Sequence, residues 1–219
     1  MKPLSVVLGT AQLGNAYGYA NSEPALEYSV CRDIVHTAYL GGIRHFDTAI
    51  AYGPALEYLQ RALKEIEATE AKIISKTSPF DDGIIAQDML YAVLSHGFVP
   101  EGLNKVEELK DIKLGCSLDL PIQVYQALDM DWIDILQVPY NMQQTDMLRP
   151  IQAAQKKGIE VMIRSVFMQG KLFDFGCTVQ ECMNFVHTTL PDCMQVIGAE
   201  TVEQVIEICE IAREWENGT

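Results

Sequence analysis

The sequence predicts an α/β protein built as a single (β/α)8 barrel of the TIM type, and three observations predict it. Eight short β-rich apolar runs recur along the 219 residues, each followed by a segment with apolar residues at helical spacing. No Pro/Ser-rich linker, low-complexity tract or composition step interrupts the chain before the polar end Glu214–Thr219, so residues 1–219 read as one domain. Eight such units close into a barrel of typically about 250 residues, of which this is a compact version. A doubly wound open sheet shares the alternation, and periodicity alone leaves it open. The residues at the strand ends favour the barrel.

The first strand, Val6–Thr10, leads to helix Tyr28–Leu40, where Val30, Ile34, Val35 and Ala38 form one apolar face. Gly41-Gly42 then suits a left-handed helix end. Strand His45–Thr48 is followed by helix Leu56–Glu67, and strand Ile73–Lys76 by only a very short helix near Ile84–Asp88. Strand Tyr91–Ser95 precedes helix Leu103–Lys110, and strand Leu114–Ser117 precedes helix Pro121–Leu128. Strand Ile133–Val138 precedes helix Met147–Lys157, which Gly158 ends. The last two units are Glu160–Ser165 with Val179–Thr188, and Met194–Gly198 with Val202–Trp215. The final helix opens Thr201-Val-Glu-Gln204, a capping-box pattern. All eight strands are largely apolar, as strands buried on both faces should be.

Thirty acidic residues against sixteen basic ones give a formal net charge of −14. That balance argues against a nucleic-acid or anionic-membrane partner held by a broad positive field, so an anionic ligand needs a local binding device. The six cysteines include no Cys-x-x-Cys pair, and no histidine lies at zinc-ligand spacing from one; they read as reduced thiols of a cytoplasmic protein, with no metal site. Residues 3–22 lack charge, but Gly, Gln and Asn break the run below bilayer-spanning hydrophobicity, and no targeting segment is recognised.

In a barrel of this kind the site forms at the C-terminal strand ends. There the sequence places Asp47 on the second strand, Tyr52 in the loop after it, Lys76 on the third and His96 on the fourth. An ammonium beside a phenol lowers the phenol's pKa from near 10, and a carboxylate keeps the lysine charged and oriented. The phenol then becomes a proton donor usable near neutral pH. A neutral imidazole stabilises charge developing on a carbonyl oxygen. Together these are the equipment for adding hydride to a carbonyl. Taken singly, Asp47 reads as an N-cap, Tyr52 as a packed aromatic, Lys76 as an ion-pair partner and His96 as a hydrogen-bonded strand end. Their convergence favours catalysis.

These residues lie in Phe46-Asp-Thr-Ala-Ile-Ala-Tyr-Gly53, Ser75-Lys76 and Leu94-Ser-His96, and the sequence there resembles the aldo/keto reductase family. The resemblance extends through Leu8-Gly-Thr-Ala-Gln-Leu-Gly14, Leu114-Gly-Cys-Ser117, Ile135–Asn141, Arg164–Gly170 and Val196–Gln204. It implies an NAD(P)H-dependent oxidoreductase acting on an aldehyde, ketone or related carbonyl of a small polar metabolite. In that reading Tyr52 is the general acid, Lys76 tunes it, Asp47 anchors Lys76 and His96 orients the carbonyl. It further implies that Ser117 and Gln137 hold the nicotinamide carboxamide, with Gly9 and Thr10 at the same end. Arg164, Ser165, Phe167, Gln169, Gly170 and Lys171 would border the pyrophosphate, and Gly198, Glu200 and Gln204 the adenosine. A helix N-terminus after the last strand suits an anion. The segment Gln12–Glu27 resembles a subgroup that includes reductases of sugar and secondary metabolism.

Two departures shape the expectation. Helix three and the C-terminus are short, so the pocket is expected to be open there or completed by another subunit in a homo-oligomer. From Cys193 to Ala212 there is no lysine or arginine, and Glu200 would repel a 2′-phosphate. The choice between NADP and NAD therefore stays open, as does loss of cofactor binding. Two other readings of the same barrel remain: a non-redox acid/base enzyme for elimination, isomerisation or cyclisation, and a catalytically inactive binding barrel. Ser117 and Gln137 read equally as partners for loop backbone, Arg164 as a barrel-top ion pair and Lys171 as a solvated charge. His36, His45 and His187 read as structural.

Overall fold

The structure is a computed structural model that describes residues 3–16, 25–77, 89–98 and 111–217. Eight parallel strands close into a barrel in sequence order: β1 Val6–Gly9, β2 His45–Ala49, β3 Lys72–Thr77, β4 Leu90–His96, β5 Lys113–Ser117, β6 Ile135–Pro139, β7 Glu160–Arg164 and β8 Met194–Gly198. Strand β8 pairs with β1, Gly198 beside Gly9, so the sheet has no edge and the open-sheet alternative is excluded. The helices are α1 Ala11–Gly14, α2 Tyr28–Leu40, α3 Ala55–Glu65, α4 Pro121–Ala127, α5 Leu148–Lys156, α6 Lys171–Asp174, α7 Val179–Thr189 and α8 Val202–Asn217. The helices expected near Ile84–Asp88 and at Leu103–Lys110 lie outside the described residues, as do residues 17–24 of the segment Gln12–Glu27. Among the described residues no helix is long and apolar enough to cross a membrane.

Side-chain alternation along the strands divides the core in two. Val6, Leu8, Ile73, Leu136, Val138, Val161 and Ile163 face the helices and join the large cluster that includes Leu59, Leu63, Ile151 and Val205. Val7, Ile74, Ala92, Leu94, Ile135 and Met162 have the other parity and fill the barrel interior. Two residues further along each strand, the same inward parity delivers Gly9, Asp47, Lys76, His96, Ser117, Gln137, Arg164 and Gly198 to the barrel's C-terminal mouth. The site is thus a consequence of the strand period.

Several ends differ from expectation by a residue or two, for physical reasons. Thr10 leaves the first strand because its backbone turns to φ −106°, ψ 7° at the start of α1. Ser165 leaves the seventh because its φ of 58° is incompatible with extended backbone. After α2 the left-handed residue is Gly42 (φ 105°), while Gly41 stays helical at φ −70°. At α8 only half the capping box forms: the Gln204 N–H donates to Thr201 Oγ1 at 3.3 Å, but the Gln204 side chain accepts from Glu200 N at 2.8 Å.

The barrel's other end is closed by strand-opening residues. A register shift between Ile73 and Ile74 places an extra residue on β4, and Tyr91 packs under the interior cluster. Its hydroxyl donates to Glu160 Oε2 (2.8 Å) and accepts from Lys113 Nζ (2.7 Å), and Lys113 also pairs with Glu160. The His45 ring sits edge-on to Tyr91 at 5.0 Å, its Nδ1 buried without a hydrogen-bond partner. Burial, and then Lys72 and Lys113, outweigh Glu160 and push His45 down to about 4. The unfolded chain therefore binds more protons than the folded one between pH 4 and the ordinary histidine value of 6.5. Stability is full above that window and falls as pH drops through it, by up to about 3 kcal/mol from this group. His45→Gln is expected to flatten the pH 4–6.5 segment of the denaturation-midpoint profile; an unchanged slope contradicts the assignment.

Candidate active site

Asp47 and Lys76 are held side by side on neighbouring strands, with 4% and 2% of their surfaces exposed. Lys76 Nζ donates to Asp47 Oδ1 and also reaches the Thr48 carbonyl at 3.4 Å. Burial pushes the Lys76 ammonium below the usual lysine range, and the Asp47 charge opposes that shift. The Asp47 backbone is itself tied down, since its carbonyl accepts from Thr10 N (2.9 Å) and Thr10 Oγ1 (3.0 Å).

Tyr52 is half-buried in the turn after β2, where its N–H donates to the Ala49 carbonyl at 3.0 Å. Lys76 Nζ lies 5.4 Å from its ring centroid, within cation–π range. The short helix α1 abuts this turn so closely that a Cβ on Gly14 would fall 1.8 Å from the Tyr52 carbonyl oxygen; only glycine fits. His96 ends β4 with its ring exposed to the mouth, 6.3 Å centroid to centroid from Tyr52. Partial withdrawal from water, and then the Lys76 ammonium, push His96 below the ordinary histidine value, leaving a neutral imidazole at pH 7. All four residues expected at the strand ends are therefore brought together.

A pocket of about 520 Å³ opens beside them. Of the other expected site residues, Gly9, Gln137, Arg164, Ser165, Phe167, Gln169, Gly170, Gly198, Glu200 and Gln204 line it, together with Asp47 and Tyr52. Thr10, Ser117 and Lys171 do not. Thr10 is fully buried on Asp47, and Ser117 lies beneath Arg164. Lys171 begins α6, whose pocket-facing residues are Phe173 and Asp174.

Ser117, Gln137 and Arg164 form a continuous relay that sequence reasoning had not joined. Arg164 Nε donates to Ser117 Oγ (3.3 Å), Ser117 Oγ to Gln137 Oε1 (3.2 Å), and Gln137 Nε2 to Asp47 Oδ1 (2.8 Å). Arg164 is further fixed by the Leu118 carbonyl (3.2 Å) and the Asp119 carboxylate. Asp119 was legible as a strand-end acid two residues after Ser117. Gln12, Phe173, Asp174 and Glu207 also line the pocket without having been expected there. Glu207 follows Gln204 by three residues on α8, which puts both on one helix face.

Arg164 is the one basic residue among those lining the pocket, against Asp47, Asp174, Glu200 and Glu207. A ligand with one diphosphate-like centre suits this balance. An additional phosphate near Glu200 and Glu207 does not.

Among solved structures, an aldo-keto reductase from Bacillus halodurans in its holo form aligns with TM-score 0.72 at 15% identity, covering 94% of this chain and 86% of that one. The glycerol dehydrogenase of Gluconobacter oxydans gives 0.72 at 16% identity, with 99% and 90% covered. A Pseudomonas aeruginosa protein assigned to the aldo-keto reductases gives 0.72 at 17%, with 97% and 90% covered. At such identities these likenesses show a shared fold. The family profile for aldo/keto reductases matches residues 5–92, which carry Asp47, Tyr52 and Lys76 and stop four residues short of His96. Over those residues, which supply the first three strands of a closed barrel of the same architecture, the chain is similar to the aldo/keto reductase family.

Proposed function

We propose that this protein reduces a carbonyl of a small polar metabolite with a nicotinamide cofactor. The observation that carries the reading is the buried Asp47–Lys76 pair set under Tyr52, with His96 across the pocket mouth. The Tyr52 hydroxyl gives its proton to the carbonyl oxygen as negative charge develops there. Lys76 stabilises the phenolate left behind, and Asp47 holds Lys76 charged in a place where burial disfavours the ammonium. The neutral His96 imidazole orients the carbonyl by hydrogen bonding. A bound nicotinamide supplies the hydride.

The pocket suits a dinucleotide at two of its three parts. Gly9 and Gly198 leave the floor without side chains, and Gln137 offers an amide beside Tyr52 and Asp47. Thr10 supports that end through Asp47, and Ser117 through Gln137. Arg164 presents a fixed cation for a diphosphate, with Ser165, Phe167, Gln169 and Gly170 in the loop that lines the same pocket. The third part, at Gly198, Glu200, Gln204 and Glu207, lacks a cation for a 2′-phosphate.

The expected preference is therefore for NADH over NADPH, by roughly tenfold in Kd, or about 1.4 kcal/mol. Titration of the protein with each cofactor, followed by nicotinamide fluorescence, measures it. Tighter binding of NADPH contradicts the electrostatic argument. Failure of both to bind overturns the reductase reading and favours the second one, non-redox acid/base chemistry by the same four residues, for which the acidic lining of the pocket speaks.

A further inference from the structure

Cys177 stands at a junction between two helices. Helix α6 ends at Asp174 with Phe175 as C-cap and Gly176 in the left-handed conformation, φ 80°. The Gly176 N–H donates to the Phe173 carbonyl (3.0 Å) and the Cys177 N–H to the Leu172 carbonyl (3.2 Å), the paired bonds of a Schellman motif. One residue later Thr178 caps α7 through a reciprocal capping box with Glu181: Thr178 Oγ1 accepts from Glu181 N at 3.1 Å, and Thr178 N donates to Glu181 Oε2 at 2.8 Å.

Two caps back to back leave Cys177 little backbone freedom. They also define its neighbour. In a capped helix start, the residue before the N-cap packs on the fourth helical residue, and here that residue is Cys182. Cys182 is fully buried in the main core, Cys177 packs partly buried against that core, and the Cys177 side chain lies near enough to raise the Cys182 thiol. Both sulfurs are free thiols, and Cys177 is the partly exposed one.

We propose that Cys177 and Cys182 form a dithiol modification site that closes to a reversible disulfide by exchange with a low-molecular-weight disulfide such as glutathione disulfide. The accessible Cys177 thiolate, at the positive end of α7, attacks one sulfur of glutathione disulfide. Its S–S bond breaks, one glutathione leaves as thiolate and takes up a proton, and Cys177 carries the other. Cys182 then loses its proton and attacks Cys177 Sγ, releasing the second glutathione. Two protein thiols are oxidised by two electrons, and one glutathione disulfide is reduced to two thiols.

The bond would staple the α6 turn, whose Phe173 and Asp174 line the pocket, to α7, which contributes Val179 to the same wall. Burial pushes Cys182 up to about 11, so closure is limited by its deprotonation and should quicken about tenfold per pH unit between pH 7 and 9.

The test is intact-mass measurement of the folded full chain after incubation with glutathione disulfide and acid quenching. The expected result is a loss of two hydrogen masses, reversed by dithiothreitol and absent in Cys177→Ser. Cys182→Ala, which lacks the resolving thiol, should instead accumulate a single glutathionyl group on Cys177. A stable glutathionyl adduct on the unmodified chain overturns the proposal, as does loss of two hydrogens that survives in Cys177→Ser, or no reaction at pH 9.

Discussion

Tyr52→Phe is expected to lower turnover of a carbonyl substrate by about 10²–10⁴-fold, the range that a positioned general acid contributes. The substitution removes one hydroxyl and keeps the ring that packs over Lys76. The turn is held by backbone bonds and by the Gly14 approach, neither of which involves the hydroxyl. Cofactor affinity and thermal stability should therefore stay close to those of the unaltered protein. A loss that appears in kcat and kcat/KM alike marks an interaction made only in the transition state. Retained turnover would remove Tyr52 from the chemistry, and a collapse of stability would assign it to packing instead.

Lys76→Met is expected to have the largest effect on folding. It leaves the Asp47 carboxylate buried and accepting from Gln137 Nε2, without the ammonium beside it. Removing one partner of a buried ion pair costs about 3–5 kcal/mol. The double variant Asp47→Leu/Lys76→Met removes the uncompensated charge as well. It should recover most of that loss in urea denaturation while remaining inactive, because nothing is left to stabilise the phenolate. Activity in the double variant contradicts the role given to the pair. An unrecovered stability loss would mean that the Gln137–Ser117–Arg164 relay, deprived of its Asp47 acceptor, matters more than the charges.

The barrel was legible because strand period and strand count are local properties of the chain. The short, largely apolar runs mark strands buried on both faces, and Asp47, Lys76 and His96 each stand at the C-terminal end of such a run. For the same reason Asp47, Lys76 and His96 could be placed together before any contact was known. What stayed hidden depends on geometry across the barrel. Gln137 and Asp47 are ninety residues apart and meet only because the strands close into a ring. The grip of Asp119 on Arg164 needs β5 and β7 to be near neighbours.

Short helices were missed because four residues carry no periodicity. Helix α1 nevertheless sets the Tyr52 turn through Gly14, and α6 supplies Phe173 and Asp174 to the pocket wall. Thr10 was grouped with Gly9 by the family resemblance. The chain turns helical at Thr10, which points it at Asp47 instead of the pocket. The acidic character of the far end of the pocket was half legible: Glu200 stood out in the sequence, and Glu207 became its companion only once α8 was seen to run along the same opening.

The role proposed for Tyr52, Lys76, Asp47 and His96 is the joint reduction of a carbonyl. Its most direct test is the decay of nicotinamide absorbance when the protein is mixed with NADH, or with NADPH, and a series of small polar aldehydes and ketones. The expected decay needs the carbonyl compound, yields the corresponding alcohol and falls by at least about a hundredfold in Tyr52→Phe. A protein that binds the cofactor yet shows no carbonyl-dependent decay across the series, or one whose decay is indifferent to Tyr52→Phe, contradicts it.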